Sequence, residues 1–114
     1  MTSEPLDRTP HALNLPPWVA LCFVYILADF RRGRTYIGVT NNLLRRVYEH
    51  REGLVPGYTE RLNIKRLVYF EEHGEIGSAI QRETSLKRWY KQWKWSLIEE
   101  SNPDWRDLWD EIAM

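Results

Sequence analysis

Two short runs rich in β-branched and aromatic residues, Phe23-Val24-Tyr25-Ile26-Leu27 and Thr35-Tyr36-Ile37-Gly38-Val39, lie on either side of a polar stretch that contains Gly33. Runs of this kind suit a pleated, half-buried surface, and a glycine in a short polar connection signals a turn, so the pair is expected to form an antiparallel hairpin. A helix is expected directly after it. Asn41 or Asn42 can cap that helix, because a short side-chain oxygen satisfies the first free amides. Leu43, Arg46, Val47 and His50 then share one face that ends before Gly53. Two members of that stripe are cationic or ionisable, although burying a charge without a partner is strongly unfavourable.

Downstream, residues 53–63 read as a loop around Pro56-Gly57, and residues 66–71 as a third strand. Ser78 followed by Gln81 is a capping-box pattern that opens a helix over 79–90, with Ala79, Glu83, Leu86 and Tyr90 inward. A further helical segment over 93–100 is ended by Asn102-Pro103. Those two residues then serve as cap and first position of a last helix carrying Trp105, Leu108, Trp109 and Ile112. The expected fold class is α/β (α+β): a small three-stranded, mainly antiparallel sheet flanked by helices, in the order β-β-α-β-α-α-α.

A chain of 114 residues can bury one core and is too short for two ordinary domains. Residues 1–17, with Pro5, Pro10, Pro16 and Pro17, are expected to be a flexible tail, and 18–114 a single domain. The longest nearly unbroken apolar run, 18–28, has 11 residues, about half of what a membrane-spanning helix needs. With no secretory signal pattern at the start, a cytoplasmic location and no membrane partner are expected. The single cysteine, Cys22, lies in an apolar strand pattern and reads as a small buried hydrophobe, since neither a disulfide nor a thiolate cluster can be built from it.

Net charge is zero, but it is segregated. Residues 31–66 hold nine Lys and Arg against three acids, and residues 82–94 hold five against one. A basic face beside an acidic one lets a neutral protein meet a polyanion.

Tyr25, Tyr36, Arg46, His50 and Glu83 carry the chemistry if the strands bring them into one cleft. Two hydroxyls, a guanidinium and an imidazole, with a carboxylate to hold a metal, suit phosphodiester cleavage. Each residue also has a plainer role. The tyrosines fit a strand core with satisfied hydroxyls. Arg46 fits a basic helix surface next to Arg45, which can pair with Glu49, and His50 suits a helix C-terminus. Glu83 can pair with Lys87 one turn on. The run from Lys87 to Trp95 reads as tryptophans packing the last helices, with its lysines left to meet nucleic acid.

Taken together, Phe23-Val24-Tyr25, ten intervening residues, Tyr36-Ile37-Gly38 and the stretch from Asn42 to His50 resemble the GIY-YIG nuclease superfamily, and within it the small stand-alone bacterial proteins. The likeness runs from about residue 22 to residue 112 and takes in Gly57-Tyr58-Thr59, the 66–72 strand, Arg82-Glu83 and Asn102-Pro103-Asp104-Trp105. It implies that Tyr25 and Tyr36 are the motif tyrosines, Arg46 the catalytic arginine, His50 the helix histidine and Glu83 the metal-binding carboxylate. Arg45, Tyr58, Thr59 and Lys87 are then expected to contact nucleic acid. The implied cofactor is one divalent metal, Mg2+ or Mn2+. The implied reaction is DNA hydrolysis; because a lone module has few surfaces for reading bases, weak or structure-based selectivity is expected, on single-stranded or branched DNA, in repair or recombination. A catalytically silent nucleic-acid-binding module is the alternative. Two departures stand out: Phe23 replaces the first glycine of the family motif, and Lys87 lies where some relatives carry an asparagine beyond the glutamate.

Overall fold

The computed structural model describes residues 21–113, so the expected N-terminal tail lies outside the described residues. Strands β1 (Cys22–Ala28), β2 (Thr35–Thr40) and β3 (Arg66–His73) form one antiparallel sheet in the order β2-β1-β3. β1, central and covered on both faces, is buried along its whole length, which is why it reads as an unbroken apolar run rather than an alternation. Hydrogen bonds from Gly33 N to Phe30 O (2.9 Å) and from Asp29 N to Arg34 O (3.2 Å) close the hairpin. The Asp29 carboxylate accepts from the Phe30 and Arg34 amides at 2.8 Å each.

Alternation along β1 sorts the core into two layers. Phe23, Tyr25 and Leu27 pack with Leu43 and Val47 of helix α1 (Leu43–Arg51), with Ile64, and with Leu108 and Ile112, the latter in α5 (Trp109–Ile112). Val24, Ile26 and Ala28 pack on the other face against Ala79 and Leu86 of α3 (Ile76–Lys87), Ile98 of α4 (Lys91–Ser101) and Trp105. Among the described residues no helix is long and apolar enough to cross a membrane.

The sheet and helical layers follow the expected class, but four local details differ. The 53–63 loop contains a one-turn helix, α2 (Tyr58–Arg61), entered through Gly57 at φ 112. α3 begins at Ile76, and Ser78 does not cap it; its hydroxyl bonds the His73 ring instead. α3 also stops at Lys87, so Tyr90 leaves the inward stripe and stands just before α4, its carbonyl accepting from Trp93 N and Lys94 N. Asn102 does not cap the last helix. Its amide donates to the Val68 and Arg106 carbonyls (3.1 and 2.9 Å) and its oxygen accepts from Arg106 N (3.0 Å). These bonds hold a loop in which Trp105 is fully buried at φ 55, so only 109–112 remain helical. A bulky residue in the left-handed region is strained unless its surroundings fix it. Here the indole fills the core, its N–H donates to Glu99 (2.7 Å), and its carbonyl accepts from Arg66 (3.1 Å).

Candidate active site

The Tyr25 and Tyr36 rings approach to 6.3 Å, and the His50 ring lies 5.9 Å from the first and 5.4 Å from the second. Strand register explains the pair. Tyr25 sits opposite Gly38, and Tyr36 opposite Leu27, so both phenols rise from the α1 face of the hairpin. Gly38 makes room. A Cβ at that position would stand 2.5 Å from the Tyr25 oxygen and 2.6 Å from its Cζ. The Tyr25 ring therefore lies across the backbone of β2, an edge strand.

α1 supplies the imidazole. Asn42 caps it, its side-chain oxygen accepting from Arg45 N (3.0 Å), and Leu43 and Val47 fix its inward face so that His50 is buried beside them. His50 Nε2 is 3.2 Å from the Tyr25 hydroxyl, and Nδ1 is 3.1 Å from the Thr59 hydroxyl. Burial first, then the Arg46 charge, pushes the His50 pKa down to about 4 against an opposing pull from Glu49. The ring is therefore neutral near pH 7, with one nitrogen donating and the other accepting. Burial, reinforced by Tyr36, Glu83 and Glu49 and opposed by Arg46, raises the Tyr25 pKa well above the usual phenol range. The phenol thus keeps its proton and faces an unprotonated imidazole.

Arg46 lies at the rim, partly exposed, with Nη1 3.3 Å from Glu49 Oε1; Arg45 shares that carboxylate at 4.0 Å. Glu83 comes from the opposite layer, yet its charge acts on Tyr25. Successive helix positions differ by about 100°, so Arg82 and Glu83 flank the buried Ala79–Leu86 line on opposite sides. Arg82 turns to β3, where Glu71 accepts from its Nε (2.9 Å) and Nη2 (3.2 Å). Glu83 is left on the other flank. Its carboxylate meets Lys87 Nζ at 2.9 Å. Among the other expected contacts, Tyr58 is exposed, whereas Thr59 is buried against His50.

Three partnerships go beyond those expected from the sequence. Glu49 balances Arg46; its i+3 spacing was the available signal. Thr59 holds the far nitrogen of His50. Glu71 anchors α3 through Arg82 and also accepts from the Tyr69 hydroxyl and contacts His73 Nε2 at 2.8 Å. The hydrogen bonds to Arg82, Tyr69 and His73 outweigh the upward effect of burial and hold the Glu71 carboxyl below its ordinary pKa.

Among the described residues no group of three or more His, Cys, Asp or Glu could hold a metal ion. A closed protein cage of the structural-zinc kind is thus not built here. The donor set fits Mg2+ or Mn2+ held differently, since Mg2+ takes one or two carboxylates and completes its shell with water and substrate phosphate. Glu83 is such a carboxylate, partly exposed and already facing a cation in Lys87.

A family model described as the GIY-YIG catalytic domain matches residues 21–96. The chain belongs to the GIY-YIG family. That family is one of endonucleases, and the cluster above falls within the matched residues. Three curated relatives carry the name UPF0213 protein, which states no activity. One from Staphylococcus epidermidis is 32% identical over 78 residues, 68% of this chain and 94% of its own length. One from Haloquadratum walsbyi is 35% identical over 78 residues, covering 68% and 86%. One from Clostridium perfringens is 34% identical over 80 residues, covering 70% and 85%. The chain is thus similar to small stand-alone GIY-YIG proteins. No solved structure matches it.

Proposed function

We propose that this GIY-YIG protein is a metal-dependent endonuclease that hydrolyses DNA phosphodiester bonds, with Tyr25, Tyr36, Arg46, His50 and Glu83 as its catalytic residues within one domain over 18–114. The observation that carries the reading is the chain Thr59–His50–Tyr25, in which a buried neutral imidazole meets a protonated phenol at 3.2 Å. Water attacks phosphorus in line as the P–O3′ bond breaks, and the departing O3′ takes a proton from solvent, leaving a 5′-phosphate and a 3′-hydroxyl. The water proton moves to the Tyr25 oxygen as Tyr25 passes its own to His50 Nε2, so no free phenolate is needed. The Thr59 hydroxyl accepts from Nδ1–H in the tautomer that leaves Nε2 as acceptor. Arg46 at the rim balances charge on the pentacovalent phosphate, and the Tyr36 hydroxyl orients a phosphate oxygen. Glu83 would hold the divalent ion, which when bound supplies positive charge to a non-bridging oxygen. Arg45, Tyr58 and Lys87 contact the DNA backbone in this reading.

A lone module of this size has few surfaces for reading base edges, so selectivity is expected to be weak or to follow DNA structure. Repair or recombination intermediates in the cytoplasm are fitting substrates. The test is nicking of supercoiled plasmid with Mg2+ and Mn2+. Wild type nicks, while Arg46→Ala and Glu83→Gln fold normally and do not. Equal cleavage by either variant would overturn the proposal. The Glu83–Lys87 ion pair at 2.9 Å favours a second reading, a binding module whose carboxylate is already neutralised. That reading predicts DNA retardation with no cleavage in either metal.

A further inference from the structure

The aromatic residues that follow α3 divide into two populations. Trp89 and Trp95 pack onto the core, and Trp105 is inside it. Arg82 covers the Trp89 ring at 5.3 Å, and Arg32 and Lys91 lie over Trp95 at 5.1 and 5.7 Å. Tyr90 and Trp93 behave differently: they are 68% and 54% exposed, although packing was the expected role of these rings. Their rings meet at 4.9 Å, nearly perpendicular, and Trp93 also meets the edge of Trp89 at 6.2 Å. The pair is thus braced from below and open from above.

Its surroundings are cationic. Residues 82–94 hold five Lys and Arg against one acid, and among the described residues no carboxylate pairs with Arg88, Lys91 or Lys94. An open groove of about 810 Å³ runs along the outer side of α3, with Glu75 and Ile80 at its start, Gln81, Thr84 and Ser85 along it and Arg88 beside Trp89 at its far end. The end nearest Tyr90, where Thr84 and Ser85 lead to an arginine and a ring, carries groups for a sugar–phosphate chain.

We infer that Tyr90 and Trp93 form a stacking platform for unpaired bases of a DNA strand, with Arg88 and Lys91 on its phosphates. A platform of rings requires exposed base faces, which a duplex hides inside its stack, so the ligand is single-stranded. The unpaired charge is complementary to a polyanion and poorly matched to an ordinary protein surface. Placement of this strand beside the scissile phosphate rests on the proposed function; binding itself does not.

The test therefore uses the full chain without divalent metal and compares an oligothymidylate with a mixed-sequence duplex of equal length, by anisotropy and tryptophan quenching. Single-strand binding is expected to be tighter and to quench fluorescence. Trp93→Ala should weaken it about tenfold or more, on the scale of one base–ring stack, with Trp93→Phe restoring most of it and duplex binding unmoved. Arg88→Gln should lower the salt dependence of single-strand binding. Equal affinity for both forms, no binding of either, or indifference to Trp93→Ala would overturn the inference; so would unfolding caused by Trp93→Ala together with unchanged binding by Tyr90→Ala. Ring-dependent binding without nicking would retire the nuclease and keep the platform, and nicking without ring dependence would do the reverse.

Discussion

Gly38→Ala probes the site through its backbone. The new methyl carbon would start 2.5 Å from the Tyr25 oxygen, 2.6 Å from Cζ and 2.9 Å from Cε2. Three close atoms on a rigid ring cannot be relieved by one torsion of a side chain that is only 2% exposed. Reaching the 3.4 Å of an ordinary contact from 2.5 Å requires a displacement of about 0.9 Å. If it carries the hydroxyl away from His50, the 3.2 Å bond opens beyond hydrogen-bonding range. Overpacking of this kind costs about 1–3 kcal/mol, or very roughly 5–20 °C in Tm for a domain of this size. Gly77→Ala is the control. That glycine lies in α3 with nothing within 4 Å of a new Cβ, so alanine should be neutral or stabilising by up to about 1 kcal/mol. Urea and thermal unfolding give the stability difference, and plasmid nicking under metal gives the activity. A Gly38→Ala protein as stable and as active as wild type would refute the claim that the missing side chain makes room for Tyr25.

The remaining predictions concern protons and polar bonds. Because His50 titrates near 4 when folded and near 6.5 when unfolded, the unfolded chain binds more protons between those values. Its contribution is fully present above pH 6.5 and is lost as pH falls toward 4, up to roughly 3 kcal/mol. Urea midpoints across that range should therefore fall less steeply for His50→Gln than for wild type; parallel slopes would contradict a buried neutral imidazole. Asn102→Ala leaves the Val68 carbonyl and both Arg106 backbone groups without their partner. A loss of about 1–3 kcal/mol is expected, with Trp105 fluorescence reporting exposure of the indole, and an unchanged midpoint would show that the 102–108 loop holds itself. Glu71→Gln removes the charge opposite Arg82 while keeping the shape, so it should lower stability modestly and slow nicking by loosening α3. Full activity would mean that Glu83 is positioned without that anchor.

The hairpin, the third strand and α1 were legible because each rests on local patterning: apolar runs of strand length, a turn glycine, an asparagine cap and a helical stripe. The family motif added the residue types of the site. Boundaries further on were not legible, because distant groups compete for the same side chains. Ser78 has the spacing of a cap but bonds His73, and Asn102 has the chemistry of a cap but is claimed by Val68 and Arg106. Trp105 keeps helical spacing, yet it sits at φ 55 in a loop held by Asn102, with its indole bonded to Glu99 and its carbonyl to Arg66.

By itself the sequence determined which groups are available and on which strand or helix each is carried, since a periodicity of two or 3.6 residues is a property of neighbours along the chain. Tertiary structure alone decided their company. It laid Tyr25 over Gly38, withdrew His50 from water until its proton was lost, brought the charge of Glu83 to bear from the opposite layer, and left Tyr90 and Trp93 in solvent while their neighbours were buried. The reason is that desolvation and charge coupling depend on distances through space, and packing between segments far apart in sequence sets those distances.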